Sequence, residues 1–181
     1  MRRRAKIINF GILYGMGVNA LRESLGTTRA EAQQFYNEYF KNFSGLAHSL
    51  AQIKAQASRK GYTETYFGRR RTLEGISSLI PYVRAQAERM AINAPMQGTT
   101  ADIMKLAMIR IDAQVGDRAR LLLQVHDELV FEIEKGSERE VAGEVKRIME
   151  SILAPKETGG VSLDVVSSVG PNWDELKKLE L

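Results

Sequence analysis

With 181 residues, 44% of them hydrophobic and 27% charged, the chain can bury a real apolar core, which excludes a wholly disordered segment. It has no cysteine and only two histidines, His48 and His126, which excludes disulfides and thiolate metal sites and argues against a histidine-rich zinc centre. The net charge is +4, a weak pull toward polyanions, and the cations cluster at Arg2, Arg3, Arg4 and Lys6 and again at Arg69, Arg70 and Arg71.

Residues 3–15, RRAKIINFGILYG, carry Ile8, Ile12 and Leu13 at helical spacing and predict a first helix. A short helix is expected over 19–25. Thr28, with Glu31 three residues on, has the capping-box pattern for a long helix over 29–43. Gly45 is expected to interrupt it before a further helix that runs to about Lys60, where Gly61 is a stop. YTETYF (62–67) alternates and is β-prone. Pro81 opens another helix, which Pro95 and Gly98 are expected to kink or break before a second amphipathic run over 101–115. LLLQVHDELVFEI (121–133) reads as strand on both sides of three ionisable residues. A helix over about 138–153 then carries Val141, Val145, Ile148, Met149 and Ile152 on one face. VSLDVVSSV (161–169) is a last strand, placed to join the earlier pair. The order predicts an α+β fold, a mostly helical lobe beside a small antiparallel sheet with packed helices. No apolar run reaches membrane-spanning length and no signal-peptide pattern opens the chain, so no membrane partner and a cytoplasmic location are expected.

Two stretches carry the chemistry. In a regular strand Asp127 and Glu128 would point to opposite faces. A reversal around His126 and Asp127 removes the conflict: both strands bury their apolar residues, and the ionisable ones crown the turn. Asp and His both tolerate the positive φ that tight hairpins demand. One reading is an ordinary polar turn. The other is a rigid mount for a divalent metal such as Mg2+, which takes one or two carboxylates plus substrate phosphates and in pairs clamps the attacking and leaving oxygens of phosphoryl transfer. In the first helix, Arg2, Lys6, Phe10 and Tyr14 are spaced by four and form one slowly drifting stripe. Two cations suit phosphates and two rings suit a base or sugar. An amphipathic helix with a charged end and buried aromatics is the plainer alternative.

RRRAKIINFGILYG resembles the nucleotide-binding helix of the fingers in family A DNA polymerases, the bacterial DNA polymerase I type, with Arg2, Lys6, Tyr14 and Gly15 meeting its pattern. QVHDELVFE resembles the family's third palm motif, a hairpin with a catalytic carboxylate. GYTETYFGRRR and RAQAERMAINAPMQGTTADIMKLAM are similar to the segments in between, and VGPNWDE is similar to the tail. The resemblance covers essentially the whole chain. It implies a fingers part over 1–80, a distal palm part over 81–181, and DNA-templated addition of deoxynucleotides to a primer 3′ end with two Mg2+ ions. It further implies that Arg2 and Lys6 contact the incoming triphosphate, with Lys6 a candidate proton donor to the leaving pyrophosphate. Phe10 would pack on the sugar, where a phenyl ring implies discrimination against dideoxynucleotides, and Tyr14 would stack near the templating base. Arg89, Asn93 and Gln97 would contact primer or template in the minor groove. His126 would approach the primer terminus, Asp127 would ligate metal and Glu128 would support the site. The implied partners are primer–template DNA and deoxynucleoside triphosphates.

One family motif is not found here: the other palm motif, typically DYSQIELR, which supplies the second metal-binding aspartate. Asp102, Asp112 and Asp164 fall in a helix, at a helix end and in a strand, and none replaces it. The two-metal site is therefore expected to be incomplete in these 181 residues. They are expected to form a C-terminal portion that is inactive or nearly so alone and partners the upstream part of the polymerase. A sequence-indifferent DNA-binding module without chemistry and a truncated product are the alternatives. Arg69, Arg70 and Arg71 are either salt-bridged or DNA-facing.

Overall fold

The computed structural model describes the backbone of residues 2–181 and all their side chains except those of residues 2–5 and 7. It divides into two compact units, one ending at Thr99 and the other beginning at Thr100. The fold is α+β.

The first unit opens with helices α1 (Arg2–Leu13), α2 (Val18–Leu25), α3 (Arg29–Asn42) and α4 (Ser44–Lys60). The capping box forms as its sequence demands: Glu31 N–H donates to the Thr28 hydroxyl at 3.3 Å, and the Thr28 N–H donates to the Glu31 carboxylate at 3.1 Å. The break between α3 and α4 falls at Phe43 (φ −111°, ψ 55°), not at Gly45, which lies in the first turn of α4. The Phe43 ring packs on Tyr39, 4.9 Å between centroids, so an aromatic contact fixes the corner where a glycine was expected to. Gly61 closes α4 in the left-handed conformation. The strand that follows is shorter than 62–67: β1 is Tyr62–Glu64, and the arginine knot itself forms its antiparallel partner β2 (Arg70–Thr72), with Thr63 opposite Arg71.

Two apolar clusters hold this unit. Ile8, Ile12 and Leu21 pack with Tyr36, Tyr39 and Phe40, and Ala57, Leu73, Ile76, Ala87 and Ala91 form the other. Ala87 and Ala91 come from α5, which runs from Pro81 to Val115 as one helix of 35 residues. Pro95 lies inside it, so the kink or break expected at Pro95 and Gly98 does not end the helix.

The second unit takes the remainder of α5, the hairpin β3 (Ala119–Val125) and β4 (Glu128–Ile133), helix α6 (Glu138–Glu150) and the short strands β5 (Ser167–Val169) and β6 (Lys177–Leu179). Its core joins Ala107, Ile111 and Val115 of α5 to Val141, Val145 and Ile148 of α6, with Leu129, Phe131 and Ile133 of β4 packed on them. Two expectations are corrected here. The hairpin does not bury all its apolar residues: the register slips by one at Leu122, an extra residue that makes a β-bulge. Beyond it Gln124, not Leu123, lies opposite the core-facing Leu129, and Leu123 shares the other face with Val125 and Val130. Leu122 and Leu123 are consequently 49% and 47% exposed; Leu121, before the bulge and opposite Phe131, is 41% exposed. Nor does 161–169 join that hairpin: β5 pairs antiparallel with β6, and the described strands form three separate two-stranded ladders. The β5–β6 turn holds Trp173, 51% exposed. No helix among the described residues is long and apolar enough to cross a membrane.

Candidate nucleotide and nucleic-acid contacts

On α1, Ile8 and Ile12 point into the core, which turns the stripe at 6, 10 and 14 outward. Phe10 is 44% and Tyr14 36% exposed, so the two rings are presented rather than buried. They stack on each other at 6.3 Å between centroids with planes 17° apart, and the Lys6 ammonium stands 5.7 Å from the Phe10 ring. A cation followed by two partly exposed rings can take a phosphate and a base or sugar in sequence. The Arg2 side chain lies outside the described residues.

The stripe ends against α5. Gly15 has φ 85°, and a Cβ there would stand 3.0 Å from the Arg89 Cγ. Glycine lets the chain turn sharply after Tyr14 and lets the Arg89 stem lie against it. Arg89, Asn93 and Gln97 follow one another at steps of four on α5, and because the helix continues through Pro95 they stay on one side of it. Arg89 and Gln97 are exposed; Asn93 is half-buried, and its Oδ1 is buried with no hydrogen-bond partner. Gln97 also lines a cavity of about 70 Å³ with Thr63, Thr65, Arg69 and Arg71.

The three arginines of the knot have different surroundings. Arg70 pairs with Glu64 at 2.9 Å and lies 4.6 Å over the Tyr62 ring. Arg69 donates to the Gly98 carbonyl at 3.0 Å, and an Arg71 Nη stands 3.5 Å from the Met90 sulfur. For Arg70 the salt-bridged alternative is therefore the one observed. Arg70 and Arg71 sit on a strand of their own, with Arg69 just before it, a placement that residue-level reading missed; the turn glycine Gly68 before them was the available signal.

In the second unit the β3–β4 turn is the two-residue reversal at His126 and Asp127 that the polar interruption predicts, closed by the pair Val125 and Glu128. His126 has φ 53° and is the sole described non-glycine residue with a positive value, which costs on the order of 1–3 kcal/mol. Gln124 braces the turn, its Nε2 donating to the His126 carbonyl at 3.0 Å. His126, Asp127 and Glu128 are all exposed. Among the described residues neither carboxylate makes a side-chain hydrogen bond or ion pair, so both keep their lone pairs for an outside ligand. Two adjacent carboxylates match the oxygen donors Mg2+ prefers, and one or two of them plus substrate phosphates is its usual complement. They do not make a cage: no group of three or more His, Cys, Asp or Glu side chains able to hold a metal occurs among the described residues.

A family profile described as DNA polymerase family A matches residues 1–175. DNA polymerase I of Rhizobium leguminosarum is 44% identical over 180 residues, which is 97% of this chain and 18% of that protein. The thermostable DNA polymerase I of Thermus aquaticus is 42% identical over 179 residues, 98% of this chain and 21% of that protein. The chain thus spans about a fifth of the length of these relatives. Among solved structures, the POL domain of Pol1 from M. smegmatis, in complex with DNA primer-template and dNTP, is similar with a TM-score of 0.81 at 41% identity, over 84% of this chain and 28% of that one.

Proposed function

The chain belongs to DNA polymerase family A, and from that premise we propose that it supplies nucleotide-contacting and DNA-contacting residues, with one metal-binding carboxylate, to DNA-templated addition of deoxynucleotides at a primer 3′ end. The observation that carries this reading is the outward stripe of Lys6, Phe10 and Tyr14, whose end abuts Arg89. Lys6, with Arg2, neutralises the triphosphate, and Lys6 is the candidate proton donor to the leaving pyrophosphate. Phe10 packs on the sugar and Tyr14 beside the templating base. Arg89, Asn93 and Gln97 donate to minor-groove acceptors that all base pairs share, which suits sequence-indifferent binding. His126 approaches the primer terminus, Asp127 holds the metal and Glu128 supports it. A bound Mg2+ would supply charge neutralisation at the phosphoryl oxygens. Phosphoryl transfer asks the protein mainly for positioning and charge, and these side chains offer both.

One aspartate with an adjoining glutamate leaves Mg2+ short of fixed protein oxygens, so these 181 residues alone are expected to extend primers weakly or not at all. The upstream palm of a family A polymerase is the proposed partner that restores extension. Primer extension with and without such a partner tests this. Asp127→Asn should lower the restored rate by roughly a hundredfold or more; a folded, reconstituted complex that extends equally well with Asp127→Asn would sink the metal assignment. A second reading, a DNA-binding module without chemistry, is favoured by the stripe and Arg89 needing no metal to act. Its signature is primer–template binding by this chain with no extension under any complementation.

A further inference from the structure

Helix α5 continues through a residue that ought to weaken it. Pro95 has no N–H to give the Ala91 carbonyl, and its ring crowds that carbonyl, so a helix normally kinks or ends there. The hairpin β1–β2 touches α5 on both sides of that point. Before Pro95, Leu73 and Ile76, just past β2, pack with Ala87 and Ala91, and Arg71 reaches the Met90 sulfur. After Pro95, the Tyr66 N–H donates to the Thr99 hydroxyl at 2.9 Å and the Arg69 guanidinium donates to the Gly98 carbonyl at 3.0 Å. The loop that makes these bonds is itself tied: Thr65 N–H to the Arg69 carbonyl at 2.9 Å, Arg69 N–H to the Thr65 hydroxyl at 3.1 Å, Gly68 N–H to the Thr65 carbonyl at 3.0 Å. Its seat on the helix depends on Gly98, where a Cβ would lie 2.6 Å from the Thr65 methyl and 3.3 Å from an Arg69 nitrogen.

We infer that the β1–β2 hairpin splints α5 across Pro95, and that Arg69 is a positioning residue for Gln97, which sits between Pro95 and the carbonyl that Arg69 holds. The inference deepens the proposed function and rests on it for the role of Gln97. The splint itself does not. Arg69 acts through the helix and contacts no DNA in this scheme, so a lysine, with a single ammonium on a flexible stem in place of the rigid guanidinium fork, restores part of its effect.

The test uses the 181-residue chain in two measurements. Hydrogen–deuterium exchange reads the α5 amides that follow Pro95, and fluorescence anisotropy reads binding to a primer–template duplex. Arg69→Ala, which removes the charge-assisted bond to the Gly98 carbonyl, should speed exchange there by roughly tenfold or more and weaken DNA binding in step. Arg69→Lys should fall in between. Gly98→Ala should reproduce the Arg69→Ala exchange, and adding Thr65→Ser, which removes the methyl in the way while keeping the hydroxyl, should reverse it. Unchanged exchange in Arg69→Ala overturns the splint. Faster exchange with undiminished affinity overturns the positioning role. A wild-type chain that binds no primer–template overturns the proposed function instead, and the exchange measurements, which need no DNA, still decide the splint.

Discussion

His126 carries a cost that its neighbours do not, since its Cβ makes a left-handed φ of 53° unfavourable where glycine would accept it freely. The expected outcome is that His126→Gly is more stable than His126→Ala by about 1 kcal/mol, measured by urea denaturation; equal midpoints and slopes would mean the turn holds no strain. A strained non-glycine residue at the tip of a hairpin, next to two carboxylates without partners, is what the proposed role asks of it. The turn at 126–127 was legible because three ionisable residues interrupt strand-forming ones. The exposure of Leu122 and Leu123 was not, because one extra residue at Leu122 inverts the pattern beyond it and leaves no mark in composition.

At the level of elements, α3 is held at its start by Thr28 and Glu31, and Thr27 adds a hydroxyl that donates to the same carboxylate. That Thr27 bond, then the Thr28 backbone and hydroxyl bonds, holds the Glu31 pKa below its ordinary 4.5, against a smaller opposing push from burial. A depressed carboxylate contributes stability above the unfolded value and loses it as pH falls through the folded one. Wild type should therefore be more stable than Glu31→Gln at neutral pH, and the gap should close in thermal melts below about pH 4.5; a gap independent of pH would contradict the bond pattern. Thr28→Ala should cost about 1 kcal/mol at neutral pH. A second carboxylate, Glu150 on α6, is lowered chiefly by its bond from Lys146 and then by the Val165 N–H, and it ties the 161–169 segment to α6. Caps and stops such as Thr28, Gly61 and Pro81 could be read from sequence because they act locally. The uninterrupted passage of α5 through Pro95 could not, because the groups that sustain it come from a hairpin some 30 residues earlier in the chain. The pairing of β5 with β6 escaped notice for a similar reason, since Lys177 to Leu179 has no alternation to announce a strand.

For the molecule as a whole, a net charge of +4 with exposed cations on α1 and α5 predicts DNA binding governed by counterion release. Affinity for primer–template should fall by roughly tenfold or more between 50 and 200 mM salt, with little change when the duplex sequence is shuffled; a salt-independent constant would remove the phosphate contacts from the scheme. Family and fold class were readable across the whole chain because its motifs lie in unbroken order. Which side chains share a surface needed three dimensions: Gly15 against Arg89, or Arg69 at Gly98, are contacts between residues far apart in sequence. The distribution of chromophores offers a last consequence. All six tyrosines precede Thr99, and the single tryptophan, Trp173, follows it in the β5–β6 turn. Tyrosine absorbance therefore reports melting of the first unit and indole emission that of the second, without any label. Coincident curves in the two spectral channels would establish one cooperative transition for the entire polypeptide, and separated ones two.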